Sequence, residues 1–165
     1  MIVPVDRMAK TIVLRAPRER VWRAISDAAE FGRWFGVALD GEFVAGKHVV
    51  ARIVKTTVDP EVAQSQDAYA GLTFDMWIER MEPPRLFSYR WHPYALDPNV
   101  DYASEPTTLV SFELEDDPAG TKLTITEVGF DQLSLERRAD AFEANDEGWD
   151  TQVRLLEKYL QLPPA

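Results

Sequence analysis

The chain has no cysteine, and that absence removes disulfides, thiolate nucleophiles, zinc ribbons and iron–sulfur clusters together. Histidine is nearly as scarce. His48 and His92 lie too far apart in sequence to form a ligand pair with metal spacing, so neither a metal nor another cofactor is expected. Basic residues are outnumbered 18 to 28 by acidic ones, for a formal net charge of −10. Binding to nucleic acid needs clustered Lys and Arg that release phosphate counterions, so that partner is not expected. Anionic membranes are disfavoured on the same ground. Long apolar runs are missing too: none approaches the length of a membrane span. Met1–Arg15 holds neither the apolar stretch nor the small-residue cleavage site of a signal peptide. A soluble cytoplasmic protein is the expectation.

What is present is globular in character. Hydrophobic residues make up 45% and aromatics 11% of 165 positions, enough to bury a core as one domain over 1–165. Residues 10–15 predict a first strand. Pro17 then suits a first helical position, and Val21, Trp22 and Ile25 form the stripe of a short helix. Asp27 can cap a second, carrying Phe31, Trp34 and Phe35, with Gly36 as its stop. The period then changes to two. Strands are predicted over roughly 37–43, 47–58, 69–82, 86–92, 108–116 and 121–129, with Gly, Pro and Asp at the breaks. Val110, Phe112 and Leu114 alternate with Ser111, Glu113 and Glu115, which describes a sheet with one buried and one wet face. Last comes a helical stripe: Leu135, Ala139, Phe142, Asp146, Trp149, Val153, Leu156 and Leu160. Asn145 and Gly148 are candidate kink points, and Pro163-Pro164 stops the helix. Strands grouped together with a helix at the end give an α+β fold, the helix covering the buried sheet face. A pocket is expected near the middle of that helix.

Several segments in this order resemble a known family. Ala16-Pro17-Arg18-Glu19-Arg20-Val21-Trp22 and Phe31-Gly32-Arg33-Trp34-Phe35 are similar to the opening of START-like (SRPBCC) domains, in the branch named after the activator of the heat-shock protein 90 ATPase. Met81-Glu82-Pro83-Pro84-Arg85-Leu86 resembles that branch's hairpin, and 108–114 a later strand. Residues 120–130, followed by Gly148-Trp149, resemble its C-terminal signature. The likeness spans about residues 10–161. It implies a helix-grip fold: a curved antiparallel sheet of about six to seven strands wrapped on the last helix, with two short helices after the first strand. The eukaryotic activator carries a further N-terminal, chaperone-docking domain for which these residues leave no room; bacterial members of the branch are mostly standalone domains. Some relatives carry names borrowed from vanillate demethylase reductases. That activity is not implied here, since the chain has neither a glycine-rich dinucleotide loop nor cluster cysteines.

Candidate ligand-binding residues are Trp34, Phe35, Trp77, Tyr89, Trp91, Glu127, Phe142 and Trp149. Any one of the aromatics is more often plain core. Five tryptophans, however, exceed what close packing needs, and each buried indole N–H requires a partner. Trp34, Phe142 and Trp149 are expected to line the cavity, and Gly148 suits a helix surface left open to a guest. Glu127 continues the alternation of Leu123 and Ile125, which turns it inward and desolvates it, a mark of functional sites, unless the strand frays by that point and leaves it in water or paired with an arginine. Asp146 interrupts the helix stripe and would also face inward. No catalytic residue is assigned outright. If Glu127 and Asp146 share one cavity they form a polar anchor or an acid/base pair, with Tyr89 or His92 as polar partners; if Asp146 instead caps a restarted helix it carries no chemistry. Asp97-Pro98-Asn99-Val100-Asp101 starts like a calcium loop but has Tyr102 and Thr108 at the glycine and glutamate positions, so the match fails. The long segment from about Pro93 to Pro106 is either a solvated loop or a lid.

The functional reading that ranks first is binding of a small hydrophobic or aromatic molecule, without catalysis. A cyclase-, hydrolase- or dehydratase-type enzyme using the carboxylates comes second, and a chaperone co-factor acting through its surface third. A homodimer stays open.

Overall fold

The computed structural model describes residues 7–97 and 99–162. Met1–Asp6, Pro98 and the expected helix stop at Pro163-Pro164 lie outside them. Strand β1 (Arg7–Leu14) leads into helices α1 (Arg18–Ser26) and α2 (Ala28–Phe35). Then follow β2 (Val37–Leu39), β3 (His48–Ile53), α3 (Pro60–Gln66), β4 (Thr73–Glu82), β5 (Leu86–Trp91), β6 (Thr108–Asp117), β7 (Gly120–Val128) and α4 (Leu135–Gln161). The strands form one antiparallel sheet in the order β1-β7-β6-β5-β4-β3-β2. Consecutive strands from β2 to β7 are neighbours, and β1 returns to pair with β7. Chain from β1 to β2 must therefore travel from one sheet edge to the other, and α1 and α2 make that journey. This is the START-like helix-grip architecture expected from the sequence.

Local chemistry explains the elements. The Asp27 carboxylate accepts from the Glu30 backbone N–H and starts α2. Gly36 ends it in the left-handed region at φ 96°, where an added Cβ would come within 2.9 Å of the Thr56 nitrogen. On the inner sheet face, register aligns Tyr89 with Val110, Phe112 with Ile125, and Val110 with Glu127. Their neighbours Phe87, Leu114 and Leu123 complete a buried row against which the helices pack.

Several details differ from the sequence reading: the strand expected over 37–43 is only Val37–Leu39, and the one expected over 69–82 begins at Thr73. Pro17 is the N-cap of α1, not its first helical residue. The segment after Ile53 is not strand but leads to α3, which Asp59 caps by accepting from the backbone N–H of Glu61 and Val62. An Asp before a Pro is a helix-start signal, and the β-branched run before it masked it. Helix α4 runs unbroken through Asn145 and Gly148 and does not restart there. Its buried residues are Ala141, Trp149, Leu155, Leu156 and Tyr159, whereas Leu135 is 79% exposed. The expected stripe is correct in the C-terminal half only. Towards the N-terminus α4 is held by polar contacts: Arg137 pairs with Glu105 and donates to the carbonyls of Pro93 and Tyr94.

Candidate functional site

Between the sheet and the middle of α4 lies a cavity of about 270 Å³, close to the lower end of the range for small-molecule sites, roughly 300–1,000 Å³. Its walls come from every layer. Phe35 closes α2, Ile53 and Phe74 come from β3 and β4, and Trp91 ends β5. Gln66 and Tyr69 arrive with α3 and the turn after it, while Asn145, Gly148 and Gln152 present one face of α4. Tyr94, Ala95 and Leu96 form a further wall, so part of the long 93–106 segment does border the cavity. A recess of about 100 Å³ shares Phe35, Trp91, Asn145, Gly148 and Gln152 with it and ends on Trp149.

Behind these walls sits Glu127, fully buried at 0% exposure. Its alternation with Leu123 and Ile125 turns it inward, and it meets donors from three other elements. Trp91 Nε1 and Thr108 Oγ1 donate to Oε2 at 2.8 and 2.6 Å. Trp149 Nε1 donates to Oε1 at 2.8 Å. Asn145 Nδ2 lies 3.0 Å from both oxygens. The donors are all neutral, an arrangement that suits an acceptor-only group. Glu127 thus fixes the two indoles and the amide that form the wall of the recess, and it is not itself a cavity-lining residue.

The other sequence candidates fall in different places. Phe35, Trp91 and Trp149 line the cavity or its recess. Trp34 does not: it is core, its Nε1 donating to the Ala24 carbonyl at 2.9 Å between α1 and α2. Phe142 packs edge-on against Phe130, 5.2 Å between centroids, outside the walls. Trp77 lies on the other sheet face, stacked on His48 and edge-on to His92. Tyr89 is buried among Phe87, Trp91 and Phe112 with its hydroxyl unpartnered. Burial first, and the neighbouring Glu127 carboxylate second, hold that hydroxyl well above the ordinary tyrosine range, so it stays a neutral phenol. His92 is at the cavity wall, and its Nδ1 has no hydrogen-bond partner.

The carboxylate pair is not assembled. Asp146 turns away and binds Lys10 of β1 at 2.8 Å, beside Asp150 at 3.1 Å. One residue earlier on the helix, Asn145 takes the place facing Glu127. The heptad-like stripe pointed to Asp146; the true signal was the i, i+4 relation of Asn145 to Trp149. Gln66 and Gln152, both donating to the Phe35 carbonyl, carried no distinguishing sequence pattern. Among the described residues no three His, Asp or Glu side chains come together to hold a metal ion. Nor is any helix of the described residues long and apolar enough to cross a membrane.

Residues 15–161 match the family model described as Activator of Hsp90 ATPase homolog 1-like protein. The chain belongs to that family. No curated protein matches it. Among solved structures, protein MLL2253 of Mesorhizobium loti is similar with a TM-score of 0.72 at 21% identity, covering 96% of this chain and 99% of that one. A protein of Arthrobacter aurescens follows the same fold with a TM-score of 0.71 at 16% identity, over 96% and 88% of the two chains. Protein CV1439 of Chromobacterium violaceum has a TM-score of 0.68 at 18% identity, over 96% and 99%. At these identities the likeness establishes the fold.

Proposed function

We propose that this member of the family binds a small apolar or aromatic molecule in the cavity between the sheet and α4, and does no chemistry on it. The observation that carries the reading is Gly148. It sits in the interior of a 27-residue helix, where glycine is about 1 kcal/mol worse than alanine. No structural demand accounts for it, since an added Cβ would meet nothing within 4 Å. What the missing side chain leaves is room, in the wall shared by cavity and recess. The absence of catalysis rests on Glu127 and Asp146. The carboxylate of the first is occupied by Trp91, Thr108, Asn145 and Trp149, and the second is paired on the outside with Lys10.

The test uses the five tryptophan indole N–H signals in a nitrogen–proton correlation spectrum, titrated with neutral bicyclic aromatics. Trp91 and Trp149 should shift while Trp22 and Trp77 stay, and Gly148→Leu should erase the response. Five unmoved indoles at millimolar ligand would sink the proposal. The family's description favours a second reading, action on Hsp90 through the surface. An Hsp90 ATPase rate unchanged by saturating protein would rule it out.

A further inference from the structure

The polar atoms around the cavity are not balanced. Both indole N–H groups and the Asn145 amide nitrogen are spent on Glu127. Gln66 is spent as well: its oxygen accepts from the Thr56 backbone and its nitrogen donates to Phe35. Gln152 donates its nitrogen to the Phe35 carbonyl, a partner that can only accept, so the oxygen is the free end. That Oε1 is buried and has no partner. With Nδ2 turned onto Glu127, the amide oxygen is also the one polar atom Asn145 can offer the cavity. Asn145 and Gln152 stand two turns apart on one helix face, and both line the cavity and the recess. Tyr69 and Tyr94, the hydroxyl-bearing walls, are solvent-exposed.

Charge is distributed just as unevenly. No Lys, Arg, Asp or Glu is among the described cavity walls. The nearest ionisable carboxyl behind them, Glu127, meets four neutral donors. An anion entering here would lose its hydration, find no Lys or Arg, and face a carboxylate through one layer of side chains. His92, with its Nδ1 unpartnered, is the one described wall side chain able to take a positive charge, and the test is run where an ordinary imidazole is neutral. A ligand donor on Asn145 would instead be strengthened, because the same amide is polarised by its bonds to Glu127.

We infer that the cavity takes a neutral aromatic molecule bringing its own hydrogen-bond donor, an aryl amine or a phenol, and turns away organic anions of the same shape. This rests on the ligand-binding reading above and sharpens it to a chemical class.

The experiment compares N-phenylnaphthylamine with its sulfonate, anilinonaphthalene sulfonate, by fluorescence titration at about pH 8, above the ordinary imidazole range. The two share a diarylamine skeleton and differ by one sulfonate group. The neutral probe is expected to bind one to one, at least about tenfold more tightly than the sulfonate. Gln152→Leu should weaken the neutral probe, and Gln152→Lys should bring the sulfonate up to or beyond it. Equal affinities, or a preference for the sulfonate, overturn this inference and leave the ligand-binding reading standing. If neither probe binds, or if binding is unchanged in Gly148→Leu, the ligand-binding reading falls and takes this one with it. Far-ultraviolet circular dichroism of each variant separates lost binding from lost fold. Since the wild-type comparison needs no variant, a misfolded substitution does not rescue the idea.

Discussion

Gly32 on α2 and Gly148 on α4 are both helical glycines, and their surroundings differ completely. A Cβ on Gly32 would lie 2.3 Å from the Val37 carbonyl oxygen, so the glycine is there because chain passes against it. A Cβ on Gly148 would touch nothing. The tryptophans repeat the contrast. Trp34, in the packed region around α1 and α2, satisfies its indole on a backbone carbonyl and is enclosed by Phe31 and Phe35. Trp91 and Trp149 satisfy theirs on a buried carboxylate and leave a face beside empty space. Aromatic content is the same in kind on both sides. What separates core from cavity is whether polar side chains have been brought in to hold the rings apart.

The largest effect should come from the packed side. Trp34→Ala removes a fully buried ring from a dense cluster and is expected to destabilise the protein by about 3–5 kcal/mol in urea unfolding. A loss near 1 kcal/mol would mean that this region is as loosely filled as the other, and the contrast would dissolve.

Next comes the hub of the cavity side. Glu127→Gln keeps the shape but replaces one accepting oxygen with a donor that faces donors. A loss of about 2–3 kcal/mol is expected, together with a change in the indole signals of Trp91 and Trp149 but not Trp34. If all indoles moved alike, Glu127 would be holding the whole core and not one wall.

A smaller pair of changes sets the glycines directly against each other. Gly148→Ala should stabilise by about 0.5–1 kcal/mol, from helix propensity alone. Gly32→Ala should destabilise by about 1–3 kcal/mol, through overpacking. Thermal melts of the two variants suffice. Equal signs would show that the free volume beside Gly148 is not there in solution.

How much of this could be read beforehand follows from which contacts are local. The parity of Leu123, Ile125 and Glu127 is a property of one strand, so the inward turn of Glu127 was legible. Asp27 and Gly36 cap their own helix, and so were they. The donors to Glu127 come from β5, β6 and α4, and no periodicity within any of those elements announces the meeting. Trp34 and Trp149 are both tryptophans on amphipathic helices; only the register of the helices against the sheet makes one core and the other wall. The α4 stripe misled for a different reason. A spacing of 4 and 3 describes a helix that packs along its whole length, whereas the first turns of α4 are tied down by Arg137 and carry an exposed Leu135.

The last prediction concerns how each region is fastened from outside. Around α1 and α2 the strut is Glu30, which meets Arg20 and Arg23 and accepts from the Tyr159 hydroxyl. On the cavity side it is Asp59, the cap of α3, paired with Lys158 of α4. The Lys158 hydrogen bond first, and the capping bond from Val62 next, hold the Asp59 carboxyl below its usual value of 3.8. A carboxyl depressed on folding adds stability above its unfolded pKa and loses it as pH falls through the folded value. Asp59→Asn should therefore lower stability modestly at neutral pH, where the Lys158 pair is charged, and meet the wild type in acid, so that its acid limb is flatter. Because α3 delivers Gln66 and leads to Tyr69 at the cavity wall, acid should also weaken a bound neutral probe before it unfolds the protein. Simultaneous loss of probe and fold would mean that the cavity side is not fastened separately, and the two regions would have to be treated as one.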